Sequence, residues 1–243
     1  MTRRPLEIVG VLESCFKEKF CTPRQPRLVP GSTARLKVRA EWIPAQSLKG
    51  LDGFSHLWLI SYFHLNTNKR FKSTVHPPRL QGKGIGVFAS RAPHRPSALG
   101  LSLARLVKVE GDTLHLAELD LVDGTPIVDI KPYIPSYDVA KGARVGWVDK
   151  AAARLLRVKF SPEAEETLRL LGRHGLRELI AQSLRQDPRN PRDRSQHAPG
   201  KVLEFFLFDY DVQFSVKGRT LTVVGVVPAA PYKKERRPPP LPF

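Results

Sequence analysis

The sequence predicts a mainly β protein: an antiparallel β-barrel without a Rossmann fold, followed by a small C-terminal α+β domain. Three observations support this fold class. Short runs rich in β-branched and aromatic residues follow one another up to about residue 159, separated by Gly, Pro and Asp. No helical period of useful length interrupts them, which excludes the βαβ alternation of a doubly wound sheet. Beyond Ser161 the pattern becomes helical.

The predicted strands are short, and closing them into a barrel removes the sheet edges that so many strands would otherwise expose. Gly111-Asp112, between two alternating runs, is typical of a hairpin, and Asp123-Gly124 indicates a second turn. In chain order, the predicted strands are residues 6–12, 33–42, 56–65, 84–90, 101–110, 113–122 and 125–134.

The C-terminal part opens with a helix signal. Ser161 is a suitable N-cap, Pro162 favours the first helical position, and glycines interrupt the apolar periodicity before it resumes. Two strand-like runs follow, at residues 202–216 and 220–227. We therefore divide the chain into a barrel (residues 1–159), an α+β domain (residues 160–230) and a disordered tail rich in Pro, Lys and Arg (residues 231–243).

The composition favours a polyanion as partner. Lys and Arg total 40 against 23 acidic residues, a net charge of +17, which attracts nucleic acid first and an anionic membrane second. Cys15 and Cys21 are too few for a disulfide framework or a zinc site, and the histidines lack metal-ligand spacing, so we expect no metal. No apolar stretch suits a membrane helix or a signal peptide, and we expect a cytoplasmic protein.

The glycines of GKGIGVF (residues 82–88) do not indicate a dinucleotide site. Such a loop needs a strand before it and a helix after it, whereas here a strand is predicted to follow. A Walker pattern and a G-x-S-x-G motif are also absent from the sequence. Nothing in it therefore supports nucleotide hydrolysis or a serine hydrolase.

Residues 86–102, GVFASRAPHRPSALGLS, have the composition of a functional loop. They place Arg91, His94 and Arg95 between prolines at the exit of a predicted buried strand. Proline rings stiffen the backbone, which lowers the entropy cost of holding these side chains in one geometry. A rigid surface loop whose arginines are merely solvated is the alternative interpretation.

Residues 119–138, LDLVDGTPIVDIKPYIPSYD, form a second candidate segment. Asp120, Asp123 and Asp129 are interleaved with apolar residues. Carboxylates at a turn beside a strand can accept hydrogen bonds from a ribose or an amino group. Asp-Gly-Thr-Pro is also what a tight turn requires, so the residues alone leave both interpretations open.

Several segments, in this order, resemble one family. They are VGVLESCFKEKFCTPRQPRLVP, GFSHLWLISYFH, GVFASRAPHRPSALGLS, LDLVDGTPIVDIKPYIP and a late QDPRNPR. The chain is similar to TsaA-like (TrmO) proteins over roughly residues 5–227. The resemblance implies a methyltransferase that uses S-adenosylmethionine to methylate N6 of N6-threonylcarbamoyladenosine at position 37 of tRNA. It also implies a non-Rossmann barrel, a homodimer with the cofactor site near the interface, and a C-terminal domain that engages the anticodon stem-loop.

The resemblance carries site residues over to matching positions. The expected cofactor-binding residues are Pro23, Arg24, Gln25, His64, Leu65, Arg91, Leu101, Asp123, Gly124, Thr125 and Pro126. The candidates for a catalytic base are Asp129, Tyr133 and His94. The candidates for RNA contact are Arg95, Lys131, Asp187, Pro188 and Arg189.

Two motifs depart from the family pattern. The loop at residues 86–102 has Ser90, Ala92, His94, Ser97 and Ala98 where the family has Thr, Ser, Phe, Asn and Pro. The late motif has Asn190, Pro191 and Arg192 in place of Pro, Ala and Tyr. Two alternatives therefore stay open: a non-catalytic RNA-binding barrel of the same fold, and a methyltransferase that acts on a different acceptor.

Overall fold

The first part of the chain forms a closed six-stranded antiparallel barrel, and the residues of its strands are alternately buried and exposed. The computed structural model describes residues 6–66, 71–148, 155–189 and 200–229. The strands follow the order β1-β2-β7-β6-β3-β8, and Gly10 opposite Ile127 closes the ring. They are β1 (Gly10–Ser14), β2 (Thr33–Val38), β3 (His56–Tyr62), β6 (Leu99–Glu110), β7 (Thr113–Ala117) and β8 (Thr125–Pro132).

The barrel interior is filled by aliphatic side chains, because every second residue of its strands points inward. The turns are those that the sequence predicts: Gly111 and Asp112 join β6 to β7, and Gly124 has a φ of 75° immediately before β8. The predicted antiparallel barrel is therefore confirmed. The most completely buried side chains include Leu12, Leu36, Leu57, Leu59, Leu114, Leu116 and Ile127.

The predicted strand at residues 84–90 is wrong in most of its length. Only β5 (Ile85–Gly86) is extended, and it pairs with the equally short β4 (Thr74–Val75). Val87–Ala89 then form one turn of 3₁₀-helix, in which the backbone N–H of Ser90 donates to the Val87 carbonyl. With a partner strand of only two residues, the segment has no ladder to extend it further.

The C-terminal part packs two helices against a four-stranded sheet of order β10-β11-β12-β9, in which β9 and β12 are parallel. Ser161 caps α2, because its Oγ accepts from the Ala164 N–H at 3.2 Å. The elements are β9 (Arg157–Phe160), α2 (Pro162–Leu171), α3 (Leu176–Arg185), β10 (Val202–Leu207), β11 (Tyr210–Lys217) and β12 (Thr220–Pro228); a one-turn α1 (Pro135–Asp138) precedes them.

Two features of this sheet differ from the sequence interpretation. The run at residues 202–216 is not one strand but β10 and β11, joined by a tight turn in which Phe208 has a φ of 51°. The sequence does not signal this turn, because it lacks the glycine that usually occupies the left-handed region. Strand β9 also lies across the boundary at residues 159 and 160 that the composition suggested.

The segment after β1 joins the two halves of the molecule. Cys15, Phe16, Cys21 and Val29 are buried among the helices and sheet of the C-terminal part. The backbone N–H of Phe208 donates to the Cys15 carbonyl at 2.8 Å. The loop at residues 22–25 therefore rests on a core that both halves build. Within the described ranges no helix is long and apolar enough to cross a membrane, and the expected tail at residues 231–243 lies outside them.

Candidate active site

Loops from distant parts of the sequence meet at one end of the barrel. The Arg91 Nη1 donates to the Gln25 Oε1 at 2.7 Å, which links the loop before β6 to the loop after β1. The Asn66 Nδ2 donates to the Pro93 carbonyl at 2.9 Å, and the Lys19 Nζ donates to the Leu65 carbonyl at 3.2 Å. These bonds bring the segment after β3 to the same place.

The Asp123-Gly124 turn is held on the end of β1. The Asp123 Oδ1 accepts from the Ser14 N–H at 2.8 Å and lies 3.1 Å from the Lys17 Nζ. The backbone N–H of Asp123 donates to the Phe16 carbonyl, and that of Gly124 donates to the Leu12 carbonyl. The turn chemistry and the binding interpretation are thus compatible, because backbone bonds fix a carboxylate that is still partly exposed, with 24% of its side-chain surface accessible.

His64 presents a buried polar atom to this cluster. Its Nε2 is buried, and it has no hydrogen-bond partner among the described residues. Burial lowers the pKa of His64, opposed by hydrogen bonding to the Tyr62 backbone and by the charge of Asp123. An unsatisfied buried nitrogen costs about 1–3 kcal/mol. A bound molecule with a matching polar group would recover that free energy.

Asp120 belongs to this cluster; the sequence pattern named it as a candidate carboxylate, but the family resemblance did not carry it over as a cofactor-binding residue. Its Oδ1 accepts from the Ser102 Oγ at 2.6 Å. Burial raises the pKa of Asp120 to about 6, while the nearby Arg91 opposes that rise. Asp120 is therefore a carboxylate close to the guanidinium of Arg91. Its place in LDLVDG, beside Asp123, was the signal available in the sequence.

The remaining cofactor candidates lie on the strands that border the cluster. Thr125 and Pro126 begin β8 opposite Leu12 and Val11, so this part of β8 is held by β1. Leu101, on β6, pairs with Ile60 and is 58% exposed. An apolar side chain this exposed beside the cluster is available to a ligand or to a second subunit.

Three candidates lie farther along β8: Asp129 in the middle of the strand, opposite Ile60, and Lys131 and Tyr133 toward its far end. Asp129 and Lys131 form an ion pair at 2.9 Å, and Tyr133 packs edge-on against the rings of Trp58 and His56. The eight residues of β8 span roughly 25 Å. Within one chain, Lys131 and Tyr133 are therefore separated from Asp123 by most of the strand, and Asp129 by about half of it. His94, in contrast, lies beside Pro93 and Lys19 at the near end.

The late QDPR motif is hydrogen-bonded to the loop that carries Arg24, one of the cofactor candidates. The Arg189 Nε and Nη2 donate to the two Asp187 carboxylate oxygens at 2.8 and 3.1 Å, and both side chains are at most 8% exposed. The Arg24 Nη2 donates to the Asp187 carbonyl at 3.2 Å. Pro188 lies between them and is partly exposed. Residues 190–192, where the motif departs from the family, lie outside the described part of the chain.

Comparison with known proteins identifies the family. Residues 11–139 match the model of the tRNA-methyltransferase O N-terminal domain, and residues 153–229 match the TrmO C-terminal domain. The chain belongs to the tRNA-methyltransferase O family. The resemblance drawn from the motifs is thereby confirmed.

Two of the proteins that resemble this chain cover it almost completely, and a third covers about half of it. An Escherichia coli K12 protein named tRNA (adenine(37)-N6)-methyltransferase is 38% identical over 94% of this chain and 100% of its own length. A crystal structure of TrmO from Pseudomonas aeruginosa superposes with a TM-score of 0.76 at 33% identity, covering 93% of this chain and 99% of that one. A human protein of the same name as the E. coli one is 51% identical over 54% of this chain, which is 30% of the human length.

Proposed function

We propose that this TrmO protein transfers a methyl group from S-adenosylmethionine to N6 of N6-threonylcarbamoyladenosine at position 37 of tRNA. The observation that carries the proposal is the convergence of Gln25, His64, Arg91 and Asp123 at one end of the barrel, in a chain of this family. The names of the relatives support adenine 37 as the acceptor. The threonylcarbamoyl group on that adenine is proposed from the resemblance of the sequence motifs to the family.

The side chains at this end of the barrel fit S-adenosylmethionine. A guanidinium such as that of Arg91 suits a carboxylate, and the Asp123 carboxylate suits an ammonium group or ribose hydroxyls. The buried His64 Nε2 matches a polar atom of an adenosine or of an amino-acid end. When bound, S-adenosylmethionine supplies an electrophilic methyl group on a sulfonium sulfur. Relatives in Pseudomonas aeruginosa and Pyrococcus abyssi carry that compound in their names.

Positioning is the main contribution that these residues make. Gln25 orients Arg91, and the Ser102 hydroxyl orients Asp120. A pre-ordered pocket supplies proximity and alignment. In a displacement with a good leaving group, these two effects provide much of the reduction in the activation barrier. The rigid backbone between Pro93 and Pro96 serves the same purpose.

His94 is the catalytic candidate nearest to the cluster. Burial, and then the positive charges of Lys72 and Lys19, lower the pKa of His94. The neutral imidazole that can accept a proton from the acceptor nitrogen is therefore favoured at neutral pH. Asp129, in the middle of β8, remains a second candidate, whereas Tyr133, beyond the far end of that strand, would need to approach from a second copy of the chain. We therefore propose a homodimer, which would also cover the exposed Leu101.

Mass spectrometry of nucleosides tests the reaction directly. Threonylcarbamoylated tRNA is incubated with the protein, with and without S-adenosylmethionine, and then digested. We expect one added methyl group on the threonylcarbamoyladenosine, only with the cofactor. Unchanged nucleosides with intact tRNA binding would favour a non-catalytic RNA-binding barrel. Unchanged nucleosides with intact cofactor binding would indicate a different acceptor. Because tRNA is the proposed substrate, we propose the cytoplasm as the place of action.

Arg91→Ala tests the assignment of the cofactor site. We expect S-adenosylmethionine binding, measured by calorimetry, to fall below detection because the guanidinium and its bond to Gln25 are lost. The thermal midpoint should be unchanged, since Arg91 is exposed. Arg35→Ala is the matched control. It removes an exposed arginine on β2 that pairs with Glu13, and it should bind the cofactor normally. Normal binding by Arg91→Ala would remove this loop from the site.

A further inference from the structure

Two exposed phenylalanines lie side by side next to the candidate active site. Phe88 is 72% exposed and Phe71 is 54% exposed. Their ring centroids are 6.3 Å apart, and the ring planes are inclined by 31°. Neither ring belongs to either of the two hydrophobic cores of the described residues. Adjacent exposed aromatic rings on a surface are typical of a binding site.

Backbone hydrogen bonds hold these rings in place. Strands β4 and β5 pair between the two phenylalanines, and the N–H of Val87 donates to the Ser73 carbonyl at 2.9 Å. The Trp147 Nε1 donates to the Ala89 carbonyl at 2.8 Å, which adds a third aromatic residue to the same segment. The backbone that carries the rings is therefore ordered before a ligand binds, which lowers the entropy cost of binding.

Arg95 is fixed over one of the rings. Its guanidinium carbon lies 5.5 Å from the Phe88 centroid. Its Nη1 donates to the carbonyls of Val87 at 3.3 Å and Ser90 at 2.8 Å, so the group cannot swing away freely. A planar guanidinium beside an aromatic face is an arrangement that binds nucleobases.

The charges around the rings favour an anionic partner. Lys72 directly follows Phe71, and Lys72 and Lys19 are the two cations that act on His94. A second copy of this chain, with a net charge of +17, would bring the same positive charges to the surface. RNA instead supplies both negative phosphates and flat bases, and it complements the charge and the rings together.

We propose that Phe71, Phe88 and Arg95 form a stacking platform for an unpaired base of the RNA loop that carries the acceptor. This platform rests on the proposed function and adds the residues that receive the loop. Phe88 lies three residues before Arg91, and the hydrogen bond from Asn66 to Pro93 ties the same loop to the segment of His64. A base stacked here would lie beside the pocket that holds the cofactor.

The test measures binding of two RNAs by fluorescence anisotropy at one fixed salt concentration. One is an anticodon stem-loop, and the other is a blunt duplex of the same stem without a loop. Phe88→Ala should weaken stem-loop binding on the order of tenfold to a hundredfold and leave duplex binding unchanged, because only the loop offers a stacked base. Phe71→Ala should act in the same direction. Phe88→Trp should retain stem-loop affinity, because it keeps an aromatic face.

Three further measurements separate stacking from other roles. The salt dependence of stem-loop binding should keep its slope in Phe88→Ala, since stacking releases no counterions. Cofactor affinity, measured by calorimetry, should be unchanged. Phe54→Ala, which truncates a 37% exposed phenylalanine just before β3, is the matched control and should bind both RNAs normally.

The proposal is overturned if Phe88→Ala binds the stem-loop as tightly as the parent protein does. It is also overturned if the variant loses cofactor binding instead, which would make the rings part of the cofactor pocket. A change of oligomeric state in sedimentation, without loss of RNA affinity, would assign the rings to a contact between copies. If the parent protein neither binds nor methylates the stem-loop, the proposed function fails. The stacking platform, which rests on that function, then fails with it.

Discussion

Single polar atoms at the end of the barrel are buried at a cost in stability. The His64 Nε2 is buried and has no partner among the described residues, and Asp120 keeps a carboxylate where burial raises its pKa to about 6. Neither arrangement benefits the fold, because unsatisfied nitrogens and desolvated charges oppose folding. Groups of this kind concentrate at functional sites, where a ligand or a reaction uses them.

Asp120→Asn should separate the cost of Asp120 to stability from its contribution to cofactor binding. In the folded protein the raised pKa favours the protonated carboxyl, so the contribution of Asp120 to stability falls as the pH rises from about 4 to about 6. Asparagine does not ionise. The free energy of unfolding of the variant, relative to the parent, should therefore increase between pH 4 and 7, on the order of 2–3 kcal/mol at most. Urea unfolding at the two pH values measures it.

The same variant should bind S-adenosylmethionine more weakly at pH 7.5, because the cationic sulfonium and ammonium groups of the cofactor lose a nearby carboxylate. Glu110→Gln removes an exposed carboxylate at the end of β6 and should leave cofactor affinity unchanged. If Asp120→Asn lost stability at pH 7 and bound the cofactor normally, Asp120 would be a structural residue.

At the scale of elements, the contact between β3 and β6 positions the segment of His64. Gly100 lies opposite Ser61, and a Cβ at this position would lie 2.6 Å from the Ser61 Oγ and 2.9 Å from the Phe63 Cζ. The backbone N–H of Phe63 also donates to the Ala98 carbonyl. The glycine therefore lets β6 approach the residue that directly precedes His64.

Gly100→Ala should push Phe63 away and disturb His64 with it. We expect a loss of about 1–3 kcal/mol in the free energy of unfolding, as for other overpacked sites, and weaker cofactor binding. Chemical denaturation and calorimetry measure the two effects. Gly53→Ala adds a methyl group where no atom lies within 4 Å and should change neither quantity. Unchanged cofactor affinity in Gly100→Ala would show that the position of Phe63 does not matter to the site.

At the scale of the whole molecule, the C-terminal part supports the site that the barrel carries. The buried pair of Asp187 and Arg189 lies under the loop of Arg24, and Phe16 bridges to Leu207. Removing one partner of a buried ion pair is far more costly than removing an exposed one. A substitution that breaks this buried pair should therefore lower both the free energy of unfolding and the affinity for the cofactor.

Arg189→Ala should lower the free energy of unfolding by about 3–5 kcal/mol, because it removes the guanidinium that neutralises a buried carboxylate. Cofactor binding should weaken as the loop of Arg24 loosens, although Arg189 itself is buried. Arg169→Ala breaks an exposed pair with Glu166 and should behave like the parent protein. Normal stability with reduced tRNA affinity would instead support the direct RNA contact that the motif suggested.

The net charge of +17 predicts a steep salt dependence of tRNA binding. The logarithm of the association constant should fall linearly with the logarithm of the salt concentration, because Lys and Arg displace counterions from phosphates. Filter binding between about 50 and 200 mM salt measures the slope. A flat response would contradict phosphate contacts as the main source of affinity.

The sequence by itself determined the barrel, because short runs of alternating apolar and polar residues and turns at glycines such as Gly111 are local signals. It also determined the positions of the motif residues, through their similarity to a known family. The turn at Phe208 and the 3₁₀ turn after Gly86 could not be predicted in this way. Their conformations depend on bonds to Cys15 and Ser73, which are distant in the chain.

Only the tertiary structure decided which neighbours these residues meet. It brought Gln25 to Arg91 and Asp120 to Ser102, placed Arg189 in the interior, and exposed Phe71 beside Phe88. The physical reason is that burial and pairing depend on which segments meet when the barrel closes and the second core forms around residues 15–29. Sequence spacing determines which face of a strand a residue occupies, whereas the neighbour that it finds there depends on the whole fold.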